Sequence, residues 1–472
     1  MPGHHARVTR PILIATAVMA ATLAAPVASG AEPASAEPTA AELLAQIQAL
    51  QAQVERLEAA QNEQDAAADE PLPTKDDALS AVLADAEKLE RRPTYLQAVG
   101  TDSPGPFAGF AEGKFFLGDV DGNFFFNPNL QIQARHVANY SDAGSDTDFG
   151  WEMRRVKAGA SGHIYTPELE YSVTFAFSRD RVQVALESAN IQYSPEDGLF
   201  GVEHTSFLIG QFKDPTFFEE KTSSKRQLAA DRSYANERLG GGLTDFVQGI
   251  QYLYNDGRIA WQVGYLDGAN TENTSFIDPA GTSFFFALNG RFDILLKGEN
   301  ARVFRDFTAL NTEEDSLRAG AGFLVDLGDN DPGSFLYDLF ATADISYETA
   351  SGFGFFGAGM LRAFDNSGTE FIDLGFVTKA SQIIDRDKGL EGFGQISAVF
   401  LENDDPRSGE QFMPEIVGGI NKYWEGHNVK MTIDAGVLPN GSGVGNFTGI
   451  GYRGFSGNDL EFTVRGQIQL LI

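Results

Sequence analysis

The chain has 472 residues, with 66 acids against 35 lysines and arginines for a formal charge of −31, and it contains no cysteine. That charge excludes a nucleic-acid or anionic-lipid partner held by bulk electrostatics. The missing thiols exclude disulfide scaffolds, thiolate metal sites and cysteine nucleophiles.

The start reads as a secretory signal over residues 1–30. Arg7 and Arg10 form a cationic lead, Pro11–Ala25 is apolar, and Ala28-Ser29-Gly30 offers small residues for cleavage before Ala31. No later stretch approaches the roughly 18 consecutive apolar residues of a spanning helix. Residues 31–61 comprise an Ala/Pro/Glu-rich linker and a short coiled coil. Leu43, Ile47, Leu50, Val54 and Leu57 are spaced as an a/d seam, with Gln46, Gln51, Gln53 and Glu55 turned to water. Two to three heptads are marginal alone, but tethering to an oligomer raises their effective concentration. Residues 62–106 form an acidic spacer punctuated by Pro71, Pro73 and Pro93, with a short helix near Ala78–Leu89.

From about Phe107 the texture changes to glycine, phenylalanine and two-residue alternation. The final segment, LEFTVRGQIQLLI, is the clearest case. Leu460, Phe462, Val464, Ile468, Leu470 and Ile472 share one parity, while Glu461, Thr463, Arg465, Gln467 and Gln469 fill the other. A strand turns alternate side chains to opposite faces, so this one has an apolar wall and a polar wall. The same pattern is strong at 130–140, 169–178, 258–265, 286–296 and 429–437. It is weaker near 151–163, 182–193, 205–212, 246–254, 317–327, 335–347, 353–364, 370–379, 391–401 and 413–424. These make about sixteen strands. An even count with apolar and polar faces predicts an all-β, transmembrane antiparallel barrel over 107–472, closed because lipid leaves no tolerance for unpaired backbone edges.

Residues 213–240, KDPTFFEEKTSSKRQLAADRSYANERLG, interrupt the alternation and are too long for an ordinary hairpin. Six basic residues (Lys213, Lys221, Lys225, Arg226, Arg232, Arg238) stand against five acids. Folded into a barrel, such a segment narrows it and sets up a field that sorts ions by sign. Catalysis is not expected. His136, His163, His204 and His427 fall on separate elements without serine–aspartate spacing, and no metal-ligand pair or phosphate-cradling loop is present. No cofactor is expected either.

Four segments resemble the phosphate-selective porin O/P family. Gly113–Arg135 (GKFFLGDVDGNFFFNPNLQIQAR) is similar to its "DGNF" turn and first strand. Met153–Gly159 resembles its "RRARLG" strand, and Leu169-Glu170-Tyr171 the strand after it. Within Val202–Arg238, GQFKDPTFFEEKTSSKRQLAADRSYANER resembles "GQFKxPFSLExLTSS…ERS". The resemblance implies a trimeric sixteen-stranded outer-membrane barrel passed passively by anions or small hydrophilic solutes. It carries Lys213, Ser223, Ser224, Lys225 and Arg226 to a pore constriction, and Arg154, Arg155 and Lys157 to a basic strand. With Arg135 and Lys221 added, these are the expected pore-lining residues. The N-terminal segment is then periplasmic and the acidic outer loops face lipopolysaccharide. A different reading makes the chain a structural tether, linking the outer membrane to the cell wall through its coiled coil.

Overall fold

The computed structural model describes residues 107–472 apart from 112–113, 120, 143–145, 178–182, 276–283, 300–303, 330–334, 367–368, 403–410, 442–447 and 454–459. The signal segment, the seam of Leu43, Ile47, Leu50, Val54 and Leu57, and the spacer lie outside the described residues.

A short hairpin opens the described chain, β1 (Phe107–Ala111) with β2 (Lys114–Gly118). Sixteen longer strands follow among the described residues: β3 (Phe124–Ser141), β4 (Asp146–Ile164), β5 (Thr166–Phe177), β6 (Val184–Tyr193), β7 (Thr205–Lys213), β8 (Phe246–Asn255), β9 (Ile259–Leu266) and β10 (Phe284–Lys297). The rest are β11 (Ser316–Asp329), β12 (Phe335–Glu348), β13 (Phe353–Asn366), β14 (Thr369–Asp385), β15 (Leu390–Phe400), β16 (Phe412–Tyr423), β17 (Val429–Leu438) and β18 (Glu461–Leu471). Each pairs antiparallel with its sequence neighbour. The ring closes where β18 pairs β3, from Glu461↔Ser141 to Leu471↔Gln131. Ile472 completes the seam by exchanging two backbone hydrogen bonds with Leu130, at 2.8 and 2.9 Å. Beyond that point β2 takes the vacated edge of β3, at Leu117↔Phe126 and Gly118↔Phe125. The sixteen strands fall where alternation places them; the β1–β2 hairpin, too short to show a period, is an addition.

The burial pattern is that of a soluble protein turned inside out. On β18, Phe462 and Ile468 are 40 % and 50 % exposed while Arg465 and Gln469 are 0 % and 1 %. β10 and β17 repeat it: Phe292 and Ile433 face outward, Asn289, Arg291, Lys430 and Asp434 inward. Apolar side chains facing out around a closed ring satisfy hydrocarbon, not water.

Two connections fold into the inside. The longer runs from Asp214 to Asp245, between β7 and β8. It carries helices α1 (Phe218–Lys221), α2 (Tyr234–Leu239) and α3 (Gly241–Thr244) and a 3₁₀ turn at Ser224–Arg226. Ser233 caps α2, its hydroxyl accepting from the Asn236 amide at 3.2 Å. The second connection, between β10 and β11, enters from the opposite rim, the one that also holds the β3 start and the C-terminus. Its Asp306, Phe307, Thr308 and Ala309 are buried. The two meet at an aromatic cluster, with Phe218 5.6 Å from Phe307 and 5.5 Å from Phe356, ring centre to ring centre. At Gly322 a β-carbon would sit 2.3 Å from the Thr216 carbonyl, so only glycine lets the long connection lie this close to the wall.

Candidate functional site: two cavities inside the barrel

The Asp214–Asp245 connection is fastened to the wall at several places. The tightest is Asp231, 1 % exposed, whose carboxylate accepts from Arg154 at 2.6 Å, Arg155 at 2.7 Å and Arg135 at 3.2 Å. Strict alternation would turn Arg154 and Arg155 to opposite faces. The β3–β4 register instead jumps from Gln133↔Arg155 to Ala134↔Met153, so Arg154 is the extra residue of a β-bulge and both guanidiniums turn inward. Burial alone would raise the Asp231 carboxyl, but Arg154, Arg155 and Arg135 hold it well below the usual carboxylate range.

Other fastenings follow the same logic of buried charge met by opposite charge. Lys379, fully buried on β14, pairs with Glu219 at 2.6 Å. Lys221 reaches Asp293 at 3.2 Å, beside a lattice in which Arg318 binds Asp293 and Asp344, each at 2.6 Å, and lies 3.7 Å from the centre of the Phe218 ring. Main-chain groups are used as well. Lys430 donates to the Gln227 carbonyl (2.7 Å), Gln469 to that of Lys225 (3.0 Å), and the Tyr234 amide to Glu415 (2.9 Å). Most of these anchors lie on β10–β18 and β3. The space under β4–β8 is left open.

Two cavities occupy that space. The one toward the C-terminal rim holds about 380 Å³ and is lined by Lys157, Lys213, Lys221 and Lys225, with Glu187 as its one acidic side chain. The one toward the opposite rim holds about 510 Å³. Its lining balances five basic residues, Arg154, Arg155, Lys157, Lys213 and Arg232, against Glu187, Glu220, Glu237, Asp245 and Glu272. Both are lined by Lys157, Glu187, Lys213 and Phe246, which form a waist between them. There Lys157 pairs with Glu187. Lys213 pairs with Glu220, lies 3.4 Å from Asp245, and has its ammonium 5.1 Å from the centre of the Phe246 ring. Glu187 also comes inward through a bulge, since the β5–β6 register passes from Thr174↔Ser188 to Phe175↔Leu186.

The expected site residues thus separate. Lys157 and Lys213 sit at the waist. Lys221, Ser223, Ser224 and Lys225 line the first cavity, and Arg154 and Arg155 the second. Ser224 accepts from Gln131 at 3.2 Å. Arg135 lines neither cavity and is committed to Asp231 and Glu152. Arg226 also lines neither, and its charge acts on Asp306. Sequence reasoning missed Glu187, Phe246, Glu272 and the 304–315 segment. A bulged residue carries no periodic signal, and Phe246 reads as one more strand aromatic.

Two carboxyls of the second cavity are pushed up to about 7. Glu237 is raised by burial and by Asp231 and Glu220, against the pull of Arg232 and Arg154. Glu272 is raised by burial, Asp245 and Glu187, against Lys157 and Lys213. Both are neutral below that value and anionic above it. Acidification from pH 8 to pH 6 should therefore remove up to two negative charges beside the waist. The expected result is a reversal potential that moves toward anion preference between those pH values and stays put in the Glu237→Gln, Glu272→Gln double variant.

No family model matches the sequence, and no curated protein matches it. Solved structures do. The anion-selective porin from Comamonas acidovorans aligns with a TM-score of 0.54 at 13 % identity, over 74 % of this chain and 99 % of that one. The outer membrane channel DcaP of Acinetobacter baumannii aligns with a TM-score of 0.49 at 13 % identity, over 73 % and 97 %. At these identities the likeness is one of architecture. The chain has the porin fold, a closed sixteen-stranded antiparallel barrel with its interior narrowed by its own connections.

Proposed function

We propose that this protein is an outer-membrane porin, a passive water-filled channel for small hydrophilic solutes and ions with a preference for anions such as phosphate. The observation that carries the reading is the pair of cavities meeting at one charged waist along the β4–β8 wall. Lysines replace part of an anion's hydration shell there, weakly enough to release it. The lining of the C-terminal-rim cavity carries four lysines and one glutamate; Lys213 and Lys221 also reach Glu220 and Asp293 behind that lining, so the surface met by a solute is mainly cationic and favours anions. Residues 1–30 leave as the export signal. The 31–61 coiled coil and 62–106 spacer remain periplasmic and support a homotrimer, and the acidic loops on the other rim meet lipopolysaccharide. No covalent step is involved.

Reconstitution of the purified protein into planar bilayers tests this. Stepwise conductance in groups of three, with an anion-side reversal potential under a KCl gradient, is the expected result. A silent bilayer with tight binding to cell-wall sacculi would point instead to the tether.

A further inference from the structure

The C-terminal-rim cavity has two chemically different walls. One belongs to the Asp214–Asp245 connection and presents Lys221, Ser223, Ser224 and Lys225, with Lys157 and Lys213 at the waist above. The other is a patch of β4, β5 and β6 that presents hydroxyls in register. Ser161 pairs across the strands with Ser172, and Thr174 with Ser188. Ser172 and Thr174 are two apart on β5 and therefore share a face, so the four hydroxyls form two stacked rows. All four line the cavity, are half-buried, and have no hydrogen-bond partner among the described residues. Such rows can hydrogen-bond to the hydroxyls of a solute as well as to water, which the lysine wall, a set of donors only, cannot do in both directions.

We propose that this cavity is a binding site for a polyhydroxylated anion, a sugar-like chain or ring bearing one carboxylate or phosphate. The anionic head sits among the lysines, and the hydroxylated body lies along the Ser161–Ser172 and Thr174–Ser188 rows, which both donate and accept. A simple anion uses only the lysine wall, and a neutral sugar only the hydroxyl wall. The combined solute uses both and is held longest. A volume of about 380 Å³ lies at the lower end of the roughly 300–1,000 Å³ usual for small-molecule sites. This rests on the channel reading above and names its preferred solute class.

The test is current block in planar bilayers with the full-length protein, comparing gluconate, acetate and glucose added to KCl. Gluconate should half-block at a concentration at least tenfold below acetate and glucose. Glucose 6-phosphate blocking as well as gluconate would extend the same chemistry to phosphate heads. In the Ser172→Ala, Thr174→Val, Ser188→Ala triple variant the gluconate-to-acetate ratio should fall toward one, measured on channels that conduct. A wild-type ratio near one, or a ratio unchanged in the variant, overturns the proposal while leaving a conducting porin intact. A barrel that never conducts defeats the channel reading itself.

Discussion

Replacing Asp231 by alanine should loosen the Asp214–Asp245 connection from the wall, destabilise the barrel by about 3–5 kcal/mol and raise single-channel conductance at least twofold. The energy is that of removing one partner from a buried ionic cluster and leaving the other charges uncompensated. Here three guanidiniums would remain, at positions that placed them 2.6, 2.7 and 3.2 Å from the lost carboxylate. Asp231→Asn keeps the shape but not the charge and should fall between. Because the folded-state pKa is depressed, the stability that this carboxylate confers is complete above the ordinary aspartate value of about 3.9. It is lost only as pH falls through the lower folded-state value, so the anchor should hold in mildly acidic surroundings. The unfolding midpoint in detergent and the open-channel noise read both effects. Wild-type values of both in the alanine variant would mean that the connection is held by its aromatic contacts instead.

On the proposed channel reading, neutralising the two lysines of the waist, Lys157→Gln with Lys213→Gln, should move ion preference from anions toward cations. The change leaves Glu187 and Asp245 without the lysines that pair with them, and Glu220 with Arg232 as its remaining cation, where the two cavities meet. A unit charge about 4 Å from a passing ion is worth ~1 kcal/mol in bulk water and ~4 kcal/mol at the effective dielectric near a protein surface. A shift of the cation-to-anion permeability ratio by at least tenfold, about 1.4 kcal/mol, is the expected reading under a KCl gradient. Glu187→Gln should move the potential the other way. A potential that stays where it was in both variants would place the permeation path elsewhere in the barrel.

The architecture was legible because lipid on one side and a packed interior on the other impose strict parity. Leu460–Ile472 shows this best, and Val429–Val437 nearly as well. The long connection was visible by the failure of that parity from Lys213 onward, yet its partners were not. Nothing near Asp231 in sequence points to Arg135 or to Arg154 and Arg155. The waist was half legible. Lys213 stood out among the charges of the non-alternating segment and Lys157 came from resemblance to a known motif, whereas Glu187 and Phe246 needed the register. The segment around Phe307 reads as an ordinary link between strands, and only its burial against Phe218 and Phe356 gives it a role.

The bulges at Arg154 and Glu187 also bear on how such proteins diverge. One inserted codon shifts which neighbour of a strand residue meets oil and which meets water, and the following residues recover their pairing within a step. Lineages sharing this architecture can thus redistribute charge inside the cylinder through single-codon gains and losses in mid-strand, without redesigning the exterior. Aligned by substitution alone, they would look far less related than their backbones are.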